Sequence, residues 1–401
     1  MTGKRSHGDG GIDARGENAW RLRYRLNGKR FSKTIRGTLT EARKELRRLI
    51  KSGDDGEHVV PDKMTFGQWI KHWLAIGAPG GRRRREVGAR SLERYSELLR
   101  IHVVPTLGER PLQQLQSTEI DTLYEKLSVK LSGNTLCNLH GVVCACIATA
   151  FRTKKISRNP MLELSKVPSP GEVDHGKVLE EAQLRSLIQG FKGSSLFPIV
   201  ATAAFTGARR NEILALRWDD LNVADKTLRI ERALEETKAH GLRFKGPKTE
   251  RGKRTIKIDG DLISLLVIER ERHFRIMAGV PDGVAVDLSL VRLPAGGLMF
   301  PAPPAPGDGF SFTKPRNPRP VTTAFLRIAV RIGFPGVCLH DLRGTHETLL
   351  LDRGVPVHVV AARCGHDPAV LLRTYAKRTR KADDSAVDVI AAISKGALRA
   401  M

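Results

Sequence analysis

The sequence has no uninterrupted apolar run that approaches the ~20 residues a membrane-spanning helix needs. Residues 1–16 are polar, charged and rich in glycine, and they lack the apolar segment of a secretory signal. Cysteine is scarce, with 5 among 401 residues, and the clustered Cys137, Cys144 and Cys146 lack the paired spacing of zinc sites. We therefore expect a cytoplasmic protein with no membrane partner, whose clustered cysteines are small buried side chains of a helix.

Acidic residues are too few to balance the basic ones, with 43 Asp and Glu against 68 Lys and Arg and a formal net charge of +25. Hydrophobic residues make up 40% and charged residues 28%, which excludes a disordered or fibrous chain. The length predicts two or three domains, since a domain usually has ~100–200 residues. The excess positive charge implies a polyanionic partner, and without a membrane span nucleic acid is the leading candidate.

Residues 1–58 predict a small sheet with one helix. Residues 20–26 alternate between apolar and basic side chains, so a strand here has an apolar face and an arginine face. Asn27-Gly28 favours a tight hairpin turn before a second strand at 29–35, and residues 12–15 predict a weaker third strand. Thr38 and Glu41 have the spacing of a capping box, which begins a helix that extends to about Ile50.

The predicted sheet carries basic candidates for nucleic-acid contact: Arg21, Arg23, Arg25, Lys29, Arg30 and Lys33. A two-stranded ribbon fits the major groove of DNA, but an ordinary solvated surface has the same pattern, so both interpretations stay open. A Gly/Pro-rich loop adds four arginines that either contact phosphates or are solvated charge: Arg82, Arg83, Arg84 and Arg85.

Residues 59–168 predict an all-α domain after a linker at 51–56. The apolar spacing is helical at 66–76, 91–103, 117–127 and 134–154, with Ser91 and Ser117 as N-caps and Pro105 as a break. A second linker at 167–171 leads into residues 169–401. There we expect helices at 179–191 and 196–205, strands at 227–231 and 254–258, and a loop at 296–320. The chain is therefore expected to be multidomain and mainly α, with small β-sheets and an α+β third domain.

Four short motifs that contain polar residues stand out in the third domain. They are Thr206-Gly207-Ala208-Arg209-Arg210-Asn211-Glu212 at the start of an apolar helix that extends to Trp218, His340-Asp341-Leu342-Arg343, Cys364-Gly365-His366, and Tyr375 nine positions after His366. Their order and spacing resemble those of tyrosine recombinases of the phage integrase family. The resemblance covers nearly the whole chain, because many phage-encoded members carry a small arm-binding sheet and a helical core-binding domain before the catalytic domain.

The resemblance implies a site-specific DNA recombinase that integrates or excises a phage or another mobile element through a 3′-phosphotyrosine intermediate. The catalytic residues that it implies are Arg209, Lys248, His340, Arg343, His366 and Tyr375. Lys248 is identified by the Pro247-Lys248-Thr249 motif, although Lys245, Lys253 and Lys257 share the same basic stretch. The sequence departs from the family at Gly344, where histidine is common, and at Cys364, where leucine usually precedes Gly-His. Both departures concern local packing.

The chemistry of the residue types agrees with these roles. A tyrosine hydroxyl has an ordinary pKa of ~10, so a base such as His340 must accept its proton. Two guanidiniums, at Arg209 and Arg343, can stabilise the charge on a pentacoordinate phosphorus without a metal ion or cofactor. Lys248 is the candidate acid for the leaving 5′-oxygen, and His366 is a candidate hydrogen-bond donor to the phosphate.

Glu212 is expected one helical turn from Arg209, where its carboxylate can orient the guanidinium. Glu212 is the one residue of this motif that we expect to orient a catalytic side chain.

The implied partners are double-stranded DNA attachment sites, further copies of the chain in a homo-tetramer, and a directionality factor or host DNA-bending protein. Residues 384–398 have apolar side chains at helical spacing, which pack on a neighbouring protomer or on their own domain.

Alternative functions are DNA relaxation by a type IB topoisomerase-like enzyme, a non-catalytic DNA-binding regulator on the same scaffold, and a basic protein that coats nucleic acid. Joining of two separate duplexes distinguishes recombination from relaxation, and covalent capture of DNA distinguishes it from mere binding.

Overall fold

The computed structural model describes residues 10–26, 29–54, 59–80, 87–171, 176–247 and 252–375. The side chains of Leu26, Lys29 and residues 52–54 and 373–375 are outside that description. The chain divides into two compact units, Met1–Val173 and Asp174–Met401. The hydrophobic cores of the described residues each lie within one unit.

The first unit contains, in chain order, β1 (Gly11–Gly16), β2 (Ala19–Leu26), β3 (Lys29–Arg36), α1 (Leu39–Asp54), α2 (Phe66–Ala75), α3 (Ala89–His102), α4 (Val104–Leu107), α5 (Ser117–Ser128) and α6 (Gly133–Arg152). Turns of 3-10 helix occupy Leu112–Gln114 and Pro160–Leu162. The strands form an antiparallel sheet in the order β1-β2-β3.

The sheet and α1 form where the sequence predicts them, but α1 continues to Asp54, so the linker expected at 51–56 is wrong for residues 51–54. Leu22 and Tyr24 of β2 are buried against α1, whereas the alternate arginines face away from this core. At the start of α1 the Thr38 N–H donates to Glu41 Oε2 at 2.7 Å, and the Glu41 N–H donates to Thr38 Oγ1 at 3.3 Å. The alternation and the capping box are therefore confirmed.

Aromatic side chains fill the core of the helical part. Phe66, Trp69 and Trp73 of α2 are almost fully buried, and the Trp69 indole N–H donates to the Cys146 carbonyl on α6 at 3.1 Å. Burial raises the pKa of the Cys146 thiol far above its ordinary value, as expected for a core cysteine.

The other clustered cysteines, Cys137 and Cys144, are only half-buried, so the expectation that all three are buried is wrong for them. Their thiols are free, like those of the other cysteines. They lie on the side of α6 that faces partly outward.

Helix α6 is, among the described residues, long and apolar enough to span a membrane by length and composition. Leu139, Val143 and Ile147 on this helix are buried in the core of the first unit. Packing within the unit therefore accounts for much of its apolar surface.

Helix ends in this unit differ from the expectation. Ser91 and Ser117 lie inside the first turns of α3 and α5, because these helices begin earlier, after the extended residues Gly88 and Gln116. Pro105 lies within α4, since proline fits the first turn of a helix, where its missing N–H has no carbonyl to bind. The predicted N-caps were wrong, and the predicted break is a short helix.

The second unit contains α7 (Glu181–Gly190), α8 (Phe197–Thr206), α9 (Arg210–Ile213), β4 (Leu221–Asn222), β5 (Thr227–Ile230), β6 (Ala233–Thr237), β7 (Gly241–Lys245), β8 (Arg254–Lys257), α10 (Gly260–Ala278), α11 (Pro318–Arg331), α12 (Asp341–Asp352), α13 (Val357–Cys364) and α14 (Pro368–Tyr375). A 3-10 turn occupies Trp218–Asp220. The strands pair antiparallel in the order β4-β5-β8, with β6-β7 as a separate hairpin. Helix α10 and this hairpin are additions to the expected elements.

Helix α8 lies at the centre of the second unit. Nearly all its side chains are buried, and it packs on α10 and α12. At the end of α7 the Phe191 ring stacks on Phe325 of α11, with ring centroids 5.0 Å apart. Gly207 ends α8 in the left-handed conformation, so the chain turns and only the short α9 follows. The expected continuous helix over 206–218 is therefore wrong.

Phe325 and Leu326, neighbours on α11, provide a test of the core. Phe325 is fully buried, whereas Leu326 is 38% exposed. Phe325→Ala leaves a cavity, so we expect the free energy of unfolding of the second unit to fall by about 3–5 kcal/mol. Leu326→Ala is expected to cost on the order of 0.5 kcal/mol. Urea unfolding, monitored by hydrogen exchange of peptides from α11, measures the loss of unfolding free energy in each variant. Equal losses would contradict the assignment of Phe325 to the core.

Candidate active site

Gly207 places a backbone carbonyl within the site. Its φ of 63° is left-handed, the conformation that glycine adopts most readily at the end of a helix. A Cβ at this position would lie 2.7 Å from His346 Cδ2 and 2.9 Å from Cys364 Sγ. The sequence therefore needs glycine here for both conformation and space.

Arg343, on the first turn of α12, is held by backbone carbonyls. Its side chain is 3% exposed, and its Nη1 and Nη2 donate to Gly207 O at 2.6 Å and Cys364 O at 2.7 Å. These bonds fix the plane of the guanidinium, and each terminal nitrogen carries a second N–H for a further acceptor. A planar guanidinium of this kind matches the non-bridging oxygens of a phosphate.

Arg209 immediately precedes α9 and is the more accessible arginine, with its side chain 40% exposed. Glu212 accepts hydrogen bonds from the Arg209 N–H at 2.9 Å and from Arg209 Nη1 at 2.8 Å. The Nη2 of Arg209 donates to the Gly365 carbonyl at 3.1 Å. Glu212 thus orients both the backbone and the guanidinium of Arg209, the geometry that the sequence predicts.

Glu212 is ionised although it is buried. Burial by itself would raise the pKa of Glu212, but the hydrogen bonds and charge of Arg254, together with Arg209, hold it below its ordinary value. Arg209 was the predicted partner of Glu212, whereas Arg254, which lies 42 residues further along the chain, was not predicted.

His366 follows Gly365, which ends α13 in the left-handed conformation. Its Nε2 lies 2.9 Å from Glu347 Oε1 and 3.2 Å from Arg343 Nε, whose N–H points at the imidazole. Glu347 Oε1 is also 3.1 Å from Arg343 Nε but is not aligned with that N–H. The Glu347 carboxylate therefore acts on Arg343 mainly through its charge.

Glu347 is a further residue that the sequence analysis missed. Burial would raise its pKa, but contact with His366 and the charge of Arg343 lower it below the ordinary value, so the carboxylate is ionised. The available signal was its position four residues after Arg343, which puts both side chains on one face of α12.

His340 and Arg209 line one open cleft of about 380 Å³. Arg210 of α9 and Thr322 of α11 also line this cleft. His340 is exposed at the start of α12, yet partial desolvation of its ring and the charge of Arg343 lower its pKa. The imidazole is therefore neutral at neutral pH and able to accept a proton.

His346 lies behind the site and has a packing role. Arg363 Nε donates to its Nε2 at 3.1 Å, so the proton of the neutral ring is on Nδ1, which donates to Ala204 O at 2.9 Å. Burial and the charge of Arg363 lower the pKa of His346 to about 4. This histidine thus connects α12 to the end of α8.

The structure brings five sequence-predicted residues of the second unit together: Arg209, Glu212, His340, Arg343 and His366. Tyr375 is the last residue of α14, which packs on α13 through the buried Leu371. Other predicted groups lie outside the described residues or side chains: Lys248, the side chains of Lys29 and Tyr375, and Arg82, Arg83, Arg84 and Arg85.

The basic surface of the first unit is partly neutralised. Arg23 forms an ion pair with Asp13 at 2.8 Å, and Lys33 forms one with Glu45 of α1 at 2.8 Å. The register pairs Lys33 with Leu22, so Lys33 lies on the apolar side of the sheet rather than with the arginines. The outer face carries the other candidates, Arg21, Arg25 and Arg30.

Solved structures of DNA-bound integrases share this fold. The Tn1549 transposon integrase in complex with a circular intermediate DNA has a TM-score of 0.63 at 16% identity, covering 82% of this chain and 99% of that chain. A lambda integrase dimer bound to a COC′ core site has a TM-score of 0.57 at 14% identity, covering 94% and 98%. The chain therefore has the fold of these integrases.

The profile of the phage integrase family matches residues 177–381, just over half of the chain. An integrase of Streptomyces ambofaciens is 28% identical in an alignment of 399 residues that covers 95% of this chain and 95% of the other. A XerC-like tyrosine recombinase of Caldanaerobacter subterraneus subsp. tengcongensis is 24% identical, covering 85% of this chain and 86% of the other. The chain belongs to the phage integrase family and is a site-specific tyrosine recombinase. The topoisomerase and regulator alternatives are accordingly not favoured.

Alanine substitutions at Gly207 and Gly193 distinguish the stability cost of a steric clash from that of backbone strain. Both have positive φ, 63° and 80°, but a Cβ at Gly193 meets no described atom within 4 Å. Alanine is strained at either position, whereas at Gly207 it also collides with His346 and Cys364. We expect Gly207→Ala to lower the free energy of unfolding by about 1–3 kcal/mol more than Gly193→Ala does. Urea denaturation measures the difference, and similar losses would show that the Gly207 contacts relax without cost.

The lowered pKa of His346 predicts a pH-dependent stability. The unfolded chain takes up this proton near pH 6.5 and the folded chain only near pH 4, so stability is full above about pH 6.5 and falls between these values. The loss approaches about 3 kcal/mol, at about 1.4 kcal/mol for each pKa unit. We expect His346→Gln to flatten the slope of unfolding free energy against pH in this window. An unchanged slope would mean that His346 does not titrate as described.

Proposed function

We propose that the chain cuts and rejoins double-stranded DNA at specific attachment sites, with Tyr375 as the nucleophile, and so integrates or excises a phage or another mobile element. The observation that carries this proposal is the cleft that Arg209 and the neutral His340 line together, with the guanidinium of Arg343 near enough to His340 for its charge to lower the pKa of that histidine. Membership of the phage integrase family supports the same activity.

Cleavage in this proposal is one displacement at phosphorus. The Tyr375 hydroxyl oxygen bonds to the scissile phosphorus while His340 accepts its proton, and the bond from phosphorus to the 5′-oxygen breaks. Lys248 donates a proton to that oxygen. The products are a 3′-phosphotyrosine and a free 5′-hydroxyl.

The charge that grows on the phosphoryl oxygens is stabilised by protein groups. Arg343 is fixed by two carbonyls and Arg209 by Glu212, so neither guanidinium has to reorganise when the phosphate reacts. His366 adds a hydrogen bond to the phosphate. These groups supply the stabilisation, so the proposal needs neither a metal ion nor another cofactor.

Strand exchange follows from the reversibility of this step. The phosphotyrosine ester keeps the free energy of the phosphodiester, so the 5′-hydroxyl of another strand can attack it without ATP. Lys248, which lost its proton in the cleavage step, takes the proton of the attacking hydroxyl as the new bond from phosphorus to the 5′-oxygen forms. The bond from phosphorus to the tyrosine oxygen breaks, and the tyrosine regains its proton from His340.

We further propose three domains, with residues 1–58 as an arm-type DNA-binding domain, 59–168 as a core-binding domain and 169–401 as the catalytic domain. The separate cores of the small sheet and of the helical part support the first boundary. In the arm-type domain, Arg21, Arg25 and Arg30 on the outer face of the sheet are the best-placed candidates for DNA contact. Arg23 and Lys33 are already paired with carboxylates, and the proposal extends to Lys29 and Arg82–Arg85 on their charge alone.

The active assembly in this proposal is a homo-tetramer on DNA. A solved lambda integrase tetramer bound to a Holliday junction has a TM-score of 0.54 to this chain, which supports such an assembly. Residues 384–398, whose apolar spacing is helical, are the candidate connection between protomers. The tetramer acts on the nucleoid in the cytoplasm, with a directionality factor or a host DNA-bending protein as a further partner.

The proposed nucleophile predicts a covalent adduct that depends on one oxygen atom. Tyr375→Phe removes that oxygen, and Tyr95→Phe removes a matched hydroxyl from the first unit. On a nicked duplex carrying the attachment site, obtained from DNA flanking the gene, we expect a stable protein–DNA adduct with wild type and Tyr95→Phe and none with Tyr375→Phe. Denaturing electrophoresis detects the adduct, and mass spectrometry of its peptides identifies the linked residue. Linkage through any other side chain would overturn the assignment.

A further inference from the structure

A single buried guanidinium lies behind the proposed phosphate-binding arginines. Arg254 begins β8, and its side chain is 6% exposed. Its Nη2 and Nη1 donate to the two carboxylate oxygens of Glu212 at 2.8 and 3.3 Å. Its Nε donates to Arg363 O at 2.7 Å, and its Nη1 donates also to Gly252 O at 3.1 Å. One side chain therefore joins α9, α13 and the start of β8.

These acceptors lead to both phosphate-binding arginines. Glu212 binds the backbone N–H and the guanidinium of Arg209. Arg363 directly precedes the two carbonyls that bind Arg343 and Arg209. Arg254 itself does not line the cleft, and its N–H groups donate to Glu212 and to the carbonyls of Arg363 and Gly252.

We infer that Arg254 is a positioning residue for DNA cleavage, which holds the Glu212 carboxylate so that the Arg209 guanidinium stays available to the scissile phosphate. The inference rests on the proposed role of Arg209. With Arg254 present, the negative charge of Glu212 is shared between two guanidiniums. Without Arg254, the carboxylate pairs with Arg209 alone and competes with the phosphate for it.

The geometry requires an arginine at position 254. A guanidinium presents five N–H groups in one plane, which can bind both carboxylate oxygens along one edge and carbonyls along the others. A lysine ammonium has three donors on a single atom and cannot span these acceptors. Arg254→Lys therefore keeps the charge but loses the arrangement.

Arg232 and Asp220 provide a matched control pair in the same unit. Asp220 is 4% exposed, and Arg232 Nη2 donates to both of its carboxylate oxygens at 2.6 Å. The described contacts of this pair do not include the phosphate-binding arginines. Arg232→Lys therefore disturbs the ion pair of another buried carboxylate without touching Glu212, although Arg232, at 22%, is more exposed than Arg254.

The test uses the full-length protein and two nicked duplexes that carry the attachment site. One has an ordinary scissile phosphate, and the other has a methylphosphonate, in which a methyl group replaces a non-bridging oxygen and removes its negative charge. On the phosphate, we expect Arg254→Lys to slow single-turnover cleavage about 100-fold, as for a misplaced catalytic group, with DNA affinity unchanged. On the methylphosphonate, the ratio of wild-type to variant rate should fall, because the neutral group depends less on the charge of Arg209.

Comparison with Arg209→Ala tests whether Arg254→Lys slows cleavage through Arg209. If Arg254 acts through Arg209, the double variant Arg254→Lys with Arg209→Ala cleaves at the rate of Arg209→Ala alone. Arg232→Lys is expected to keep the wild-type rate on both substrates. A rate ratio for Arg254→Lys that is the same on both substrates, or a loss matched by Arg232→Lys, would overturn the inference.

Failure of the proposed function gives a different result from failure of the inference about Arg254. If Arg209→Ala cleaves as fast as wild type, Arg209 does not bind the reacting phosphate, whatever Arg254→Lys does. Should Arg254→Lys melt below the assay temperature, Glu212→Gln tests the same route with Arg254 intact. The inference predicts the same dependence on the substrate for Glu212→Gln, and a rate ratio independent of the substrate would overturn it.

Discussion

A buried guanidinium bound to two backbone carbonyls organises the catalytic part of this integrase. Arg343 joins the end of α8, through Gly207, to the end of α13, through Cys364. Arginine stays charged when buried, so its N–H groups need acceptors, and carbonyls left unpaired at helix ends provide them. The group that is proposed to bind phosphate is therefore also the group that holds two helix ends at the site.

Positive charge accumulates at this site, and two buried carboxylates offset it. Glu212 and Glu347 are 5% and 6% exposed, and the nearby guanidiniums keep both ionised against the effect of burial. Removal of one partner from such a pair costs about 3–5 kcal/mol, because it leaves a buried charge without its counter-charge. Stability and the orientation of the arginines thus depend on the same contacts. Arg209 is the guanidinium that combines this support with exposure to the cleft.

Local sequence patterns predicted the elements that local forces control. The alternation at 20–26 and the Thr38-Glu41 capping box need only the strand period and a three-residue spacing, and both are confirmed. The helix expected over 206–218 failed because Gly207 adopts a left-handed conformation that packs against His346 and Cys364. Those contacts lie more than 130 residues away in the chain, as does the Gly207 to Arg343 bond with its separation of 136 residues.

The order and spacing of a few polar residues were enough to indicate the family and its chemistry, since the reaction needs those residue types and the fold needs them at those intervals. Tertiary structure alone decided which side chains support them. Arg254 meets Glu212 across 42 residues, and Arg363 meets His346 through a contact between α12 and α13. Sequence periodicity does not predict such pairs. The partner of a buried charged group depends on which side chains the tertiary packing brings next to it when water is excluded.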